Sequence, residues 1–278
     1  MPVRIVQSQQ NERLKELRRA LRQDGSGRSG MIAIEGPNLL SEAQRAGLFL
    51  AQVFVSQESA NILDQLSFPA ETDVLLLPRT LLCSALATET PQPLAALVKP
   101  PSWTWNDLIH PAASPAALLV VLCGLQDPGN LGTILRSAEA FGATGVVSLP
   151  GTVSAWNPKA VRGSAGSIFR VPFLRAGLEE CFTRLAEAGV QMWATAARDA
   201  SPVAEVALTG PVALLIGNEG NGVPADVAAK AHGSLTIPCP GPVESLNAAV
   251  AASVLLYEAS RQRSASARPQ SKRSRSDR

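Results

Sequence analysis

Cysteine is sparse in this chain of 278 residues: Cys83, Cys123, Cys181 and Cys239 stand far apart, with no CxxC pair among them. That spacing argues against a zinc ribbon and against a disulfide framework, and it reads as free thiols in a reducing compartment. Histidine is scarcer still. His110 and His232 have no recognisable triad partners, so the sequence offers no general-base histidine. No apolar stretch approaches the ~20 residues of a membrane span; the one near the C-terminus, Ala248 to Tyr257, is far shorter. The first residues, Met1-Pro2-Val3-Arg4, lead straight into polar sequence without the apolar core of a secretory signal. These absences point to the cytosol.

What is present is ample core material, with 46% hydrophobic and 17% charged residues, at a length that suggests two domains. The net charge of +2 conceals an asymmetry. From Arg261 to Arg278 there are seven Lys/Arg and one Asp, or +6, so the remainder carries 18 basic against 22 acidic residues, or −4. The body is therefore not a polybasic nucleic-acid binder, and any RNA contact must come from local patches and the tail.

Residues Asn11 to Arg22 read as a helix with Leu14, Leu17 and Leu21 on one stripe, followed by a glycine-rich loop from Asp24 to Gly30. An apolar run at Met31 to Ile34, a helix at Leu39 to Ala46, strands at Gln52 to Val55 and Val74 to Leu77, a helix at Thr80 to Ala87 and a strand at Leu94 to Val98 make a small α/β unit. The segment from Pro100 through Trp103 and Trp105 to Pro115 reads as a connection. This places an N-terminal domain at 1–108, a second domain at 109–262 and a disordered basic tail at 263–278.

The second half alternates strand and helix, the pattern of an α/β domain with a largely parallel sheet. Its expected strands are Leu118 to Cys123, Val146 to Leu149, Val190 to Ala194, Val212 to Ile216 and Leu235 to Ile237. Asp127-Pro128 starts a helix to Phe141, another runs from Leu178 to Ala188, and the last runs from Ser245 to Gln262. That last helix is small or apolar on every side from Ala248 to Leu256, so it reads as buried all round, with a dimer interface as one explanation.

Three segments carry candidate chemistry. In Asp127 to Arg136, Leu131, Leu135 and Ala138 share one helix face while Gly132 and Arg136 lie a turn apart on the other. Gly132 there leaves room for a nucleic-acid backbone beside Arg136, unless Arg136 is simply a solvated arginine. In Leu214 to Pro224 an apolar strand opens into a glycine-rich loop that fits neither GxGxxG nor a P-loop. Ligands bind at such strand ends; Glu219 could accept from an amino-bearing ligand or merely face a helix N-terminus. In Ile237 to Ala248 a stiff proline-studded run offers backbone carbonyls to an adenine amino group, and Ser245 reads equally as a helix N-cap.

In order and spacing these segments together resemble the SpoU/TrmH family of RNA ribose 2′-O-methyltransferases, of the SPOUT superfamily. N-x-G-x-x-x-R is met by Asn130, Gly132 and Arg136, G-x-E-x-x-G by Gly217, Glu219 and Gly222, and S-L-N by Ser245, Leu246 and Asn247. The run from Asn157 to Arg170 looks like the stretch between the family's first two motifs, and residues 30–100, with Glu35-Gly36 and Thr90-Pro91-Gln92, look like its small ribosomal-protein-like RNA-binding domain. Ala248 departs from the valine common after S-L-N.

The resemblance implies an α/β catalytic domain with a trefoil knot, a homodimer whose interface helps build the site, and S-adenosyl-L-methionine as donor with no metal. It implies a donor site of Thr195, Gly217, Asn218, Gly222, Ile237, Pro238 and Leu246, and catalytic roles for Arg136, Asn130, Glu219, Ser245 and Asn247. A guanidinium holds its proton too firmly to serve well as a base, so Arg136 reads as a phosphate clamp and stabiliser of the developing alkoxide, with an RNA phosphate as the alternative proton acceptor. The expected substrate is a ribose in 23S ribosomal RNA; transfer RNA is the nearest rival, and a non-catalytic knotted RNA-binding scaffold is the rival of another class.

Overall fold

The computed structural model describes residues 2–22, 30–66, 68–86, 88–110, 116–243 and 245–266. Most of the expected loop from Asp24 to Gly30, and the tail from residue 267 onward, lie outside the described residues.

The N-terminal unit is a mixed five-stranded sheet of β1 (Val3–Ile5), β2 (Ile32–Glu35), β3 (Leu50–Ser56), β4 (Asp73–Leu77) and β5 (Leu94–Val98) in the order β1-β4-β3-β5-β2. β1, β4 and β3 pair in parallel, and β5 runs antiparallel to β3 and β2. Helices α1 (Glu12–Arg22), α2 (Pro37–Arg45) and α3 (Arg79–Ala85) cover it. Helix α1 buries Leu14, Leu17 and Leu21, the stripe its periodicity marks, and Asn11 Oδ1 accepts from the N–H groups of Arg13 and Leu14 at its start.

The second sheet has seven strands: β6 (Leu118–Leu122), β7 (Gly145–Ser148), β8 (Phe173–Arg175), β9 (Gln191–Thr195), β10 (Ser201–Pro202), β11 (Val212–Ile216) and β12 (Gly233–Thr236). Their order is β10-β12-β9-β11-β6-β7-β8 and every pairing is parallel. β6 and β11 lie adjacent at the centre, and each is an unbroken apolar run buried at all five positions, as a parallel strand covered on both faces requires. The helices are α4 (Trp105–Ile109), α5 (Pro128–Ala140), α6 (Pro158–Gly163), α7 (Leu178–Glu187), α8 (Ala225–Ala228) and α9 (Ala248–Ser266).

Several local expectations need correcting. The stretch read as a connection contains α4, started by a capping box between Thr104 and Asp107. Leu108 is fully buried beneath Gly145, and its carbonyl accepts from the Thr144 hydroxyl at 2.7 Å, so α4 packs with the second sheet. Gly132 is buried, and a methyl there would lie 2.5 Å from the Ala160 carbonyl oxygen and 2.8 Å from Gly163 Cα. Its missing side chain admits helix α6, not a nucleic-acid backbone.

Helix α9 starts at Ala248 rather than Ser245. Asn247 caps it, its Oδ1 accepting from the N–H groups of Ala249 (2.9 Å) and Val250 (3.3 Å). Nor is α9 buried on all sides of one chain, since Val250 and Tyr257 are 49% and 56% exposed. At its far end the helix continues through Ser266, past the expected start of the tail. There Arg263 donates to the carbonyls of Ala116, Ala117, Leu208 and Gly210, at the amino ends of β6 and β11.

Candidate active site

β9, β11 and β12 lie side by side and parallel, so Thr195, Ile216 and Thr236 end at the same edge of the sheet. A cleft of about 980 Å³ opens there, walled by the loop after β11, the proline-rich segment after β12, and Ala248, Ala251 and Leu255 of α9. Thr195, Gly217, Asn218, Gly222, Ile237, Pro238 and Leu246 all line it. They reach it from three separate stretches of chain, at the carboxyl edge where α/β sheets bind ligands.

The loop is a tight closed turn. Asn218 and Gly222 exchange backbone hydrogen bonds of 2.9 Å each, and Gly222 has φ +67°. Asn218 Oδ1 accepts from the N–H groups of Gly220 and Asn221, while its Nδ2 donates to the Gly124 carbonyl at 2.9 Å. Both the side chain and the backbone of Asn218 are thus committed to shaping the loop. Buried Gly217 packs so closely on Gly222 and Val223 that a methyl would overlap their backbone atoms.

Glu219 points back to the start of α5. One carboxylate oxygen accepts from the Asp127 N–H (3.0 Å) and from Asn130 Nδ2 (3.0 Å), and the other from the Gln126 N–H (3.2 Å). Asn130 Oδ1 in turn accepts from Asn247 Nδ2 at 3.0 Å. The chain Glu219–Asn130–Asn247 therefore ties together the three motif segments, on loop, helix α5 and helix α9. Asn130 is buried, so its carboxamide has its partners chosen by this packing. The bonds Glu219 accepts position the walls of the cleft, which Glu219 itself also lines.

Burial raises the Glu219 pKa, but hydrogen bonds from Asn130 and from backbone N–H groups outweigh it and hold the carboxyl below its ordinary value. Its stabilising contribution is therefore complete above the unfolded value of about 4.3 and is lost as pH falls through the lowered folded value. Glu219→Gln replaces an acceptor oxygen with an NH₂ group facing N–H donors. Calorimetry at neutral pH should then show donor affinity weakened about tenfold or more. Affinity unchanged by the substitution would refute this role.

The remaining candidates divide. Ser245 lines the cleft and is exposed, so it is free of the capping role taken by Asn247. Arg136 does not line the cleft of its own chain; it is exposed on α5, and no described residue pairs with it. The sequence reading missed Ala251 and Leu255, which it assigned to core. Asp127 caps α5 as its Asp-Pro start implies, its side chain accepting from Gly129 N–H (2.8 Å) while also holding Lys159 (3.1 Å).

The family model described as the SpoU rRNA Methylase family matches residues 117–257, from the start of β6 into α9. The chain belongs to the SpoU rRNA methylase family. One relative of this SpoU methylase is the Bacillus subtilis 23S rRNA (guanosine(2553)-2'-O)-methyltransferase RlmP, 31% identical over 91% of this chain and 97% of that protein. An uncharacterized tRNA/rRNA methyltransferase of Synechocystis is 32% identical over 95% and 96% of the two chains. Among solved structures, an AdoMet-bound rRNA methyltransferase from Sinorhizobium meliloti superposes with TM-score 0.82 at 28% identity, over 93% of this chain and 98% of that one. The SpoU assignment makes this protein an RNA methyltransferase with the parallel α/β architecture expected from its motifs.

Proposed function

We propose that this SpoU methylase transfers the methyl group of S-adenosylmethionine to a ribose 2′-hydroxyl of 23S ribosomal RNA. The observation that carries the reading is that two motif segments, at Gly217–Gly222 and Ser245–Leu246, line one cleft, while the third, on α5, is tied to it by the Glu219–Asn130–Asn247 chain. The residues present fit the donor. Ile216, Leu235, Ile237, Leu246 and Leu255 supply apolar wall for a purine and a thioether-like chain, and Thr195, Ser245 and loop backbone supply polar groups. The bound donor supplies a methyl group already made electrophilic by its sulfonium. The protein's part is to present a ribose oxygen in line with it and to favour loss of the hydroxyl proton. Asn130, Glu219 and Asn247 are positioning residues in this scheme. Arg136 binds an RNA phosphate and stabilises the developing alkoxide, the proton leaving to phosphate or solvent.

The homodimer belongs to this reading. Val250 and Tyr257 form an exposed apolar face of α9, extended by Phe141, whose ring meets Tyr257 edge-on at 5.8 Å. On the same helix Ala251 and Leu255 line the cleft, so a second copy seated on this face would bring its own α5, and Arg136 of the partner subunit, towards the donor. Val250→Glu should shift the sedimenting mass from two chains to one and abolish RNA methylation; a dimer of unchanged mass would count against this surface. The knot is part of the reading too, supported by the chain's return from β12 past the 217–223 loop to pack α9 on α5.

The decisive experiment compares 2′-O-methyl positions in total RNA of a deletion strain and its parent. One 23S position should lose its methyl group; loss in transfer RNA instead, or none at all, would overturn the substrate assignment.

A further inference from the structure

The two units share one apolar core cluster, and a guanidinium also bridges them by hydrogen bonds. Arg170 follows the turn Ser167–Phe169 and is about one-third exposed, with 34% of its side chain accessible. Its Nε and Nη2 donate to the two oxygens of Glu139, at 2.5 and 3.1 Å, and its Nη1 donates to Glu42 Oε2 at 2.6 Å. Glu139 lies on α5, three residues beyond Arg136, whereas Glu42 lies on α2 of the N-terminal unit. The other Glu42 oxygen accepts from Arg45 at 2.7 Å, which fixes the carboxylate on its own helix.

The contact is also shaped to be close. Gly166 is buried with φ +92°, and a methyl there would lie 2.5 Å from Glu42 Cβ, so only glycine lets α2 settle on this turn. Hydrogen bonds from Arg170 hold both carboxyls below their ordinary range.

We propose that Arg170 is a positioning residue that fixes the RNA-binding surface of the N-terminal unit at a set angle to the methyl-transfer helix α5. The inference rests on the reading of this chain as a methyltransferase whose N-terminal unit engages RNA. Its physical basis is geometric. A planar guanidinium with a bidentate partner on one body and a third bond to another transmits orientation, which a single flexible ion pair cannot do. A structured RNA touching both units binds only when they are aligned, so its apparent affinity scales with the aligned fraction. Loosening the clamp therefore raises KM for RNA. It leaves donor binding and kcat alone, because the cleft lies wholly within the second sheet's unit.

Glu42→Ala removes the acceptor on α2 and leaves the Arg170–Glu139 pair intact, while Arg170→Lys keeps the charge and loses the fork. For each, kcat and KM are measured on transcribed 23S ribosomal RNA with radiolabelled S-adenosylmethionine, donor affinity by calorimetry, and the shape without RNA by small-angle X-ray scattering. KM should rise about fivefold or more while kcat and donor affinity stay within about twofold, and the scattering should show a larger maximum dimension. A KM within about twofold of wild type in both variants, a parallel fall of donor affinity, or superimposable scattering curves would overturn the clamp. An inactive wild-type enzyme would fail the substrate reading instead, and scattering would still decide the clamp.

Discussion

Arg136→Ala is expected to lower kcat by roughly 10²–10³, the order seen when a charged or dipolar stabiliser of a developing oxyanion is removed. Donor affinity should stay unchanged. Arg136 is exposed on α5 and lies outside the cleft wall of its own chain, so truncating it leaves that chain's donor-binding wall intact. No described residue pairs with it, so the change leaves no buried group without its partner. The fall in turnover would then report transition-state stabilisation alone, and Arg136→Lys should recover only part of it, since a point charge cannot grip a phosphate with two parallel bonds. Near-normal turnover in Arg136→Ala with saturating donor would remove Arg136 from the mechanism.

Gly217→Ala should act at the opposite step. The added methyl would overlap the backbone of Gly222 and Val223, which face Gly217 across the turn closed by Asn218 and Gly222. Backbone cannot rotate away as a side-chain tip can, so the whole loop must shift outward and carry Glu219 with it. The Glu219 bonds to Gln126, Asp127 and Asn130 would stretch together, opening the donor wall and the base of α5 in one movement. Donor affinity is expected to fall about a hundredfold or more, about 2.8 kcal/mol, with little change in the N-terminal unit's melting. Calorimetry with S-adenosylmethionine checks it, and a dissociation constant within about threefold of wild type would show the loop to be more pliant than its packing implies.

Much of the architecture was legible locally because the determinants were local. The apolar runs of β6 and β11, the Leu14–Leu17–Leu21 stripe and the Asp127-Pro128 helix start each depend on neighbours within a few residues. The strands β1, β8 and β10 escaped notice because two or three residues are too few to display a period. Helix α4 was obscured by its surroundings of proline and tryptophan, and its capping box is the signal that could have revealed it. The start of α9 was misplaced because Ser245 and Asn247 are both good cap residues, and only packing against Asn130 chooses between them.

The sequence by itself determined the inventory: which segments are strand or helix, which side chains are chemically able to bind or stabilise, and, through three spaced motifs, which family the chain belongs to. Only the tertiary structure decided what those groups are used for. Gly132 admits a helix rather than RNA, Glu219 braces loop and helix at the cleft it lines, and Arg170 spans two units from positions 128 residues apart in sequence. The reason is that a hydrogen-bonding group takes whichever partner packing brings within reach, and that choice is made by contacts distant along the chain, which no local window contains.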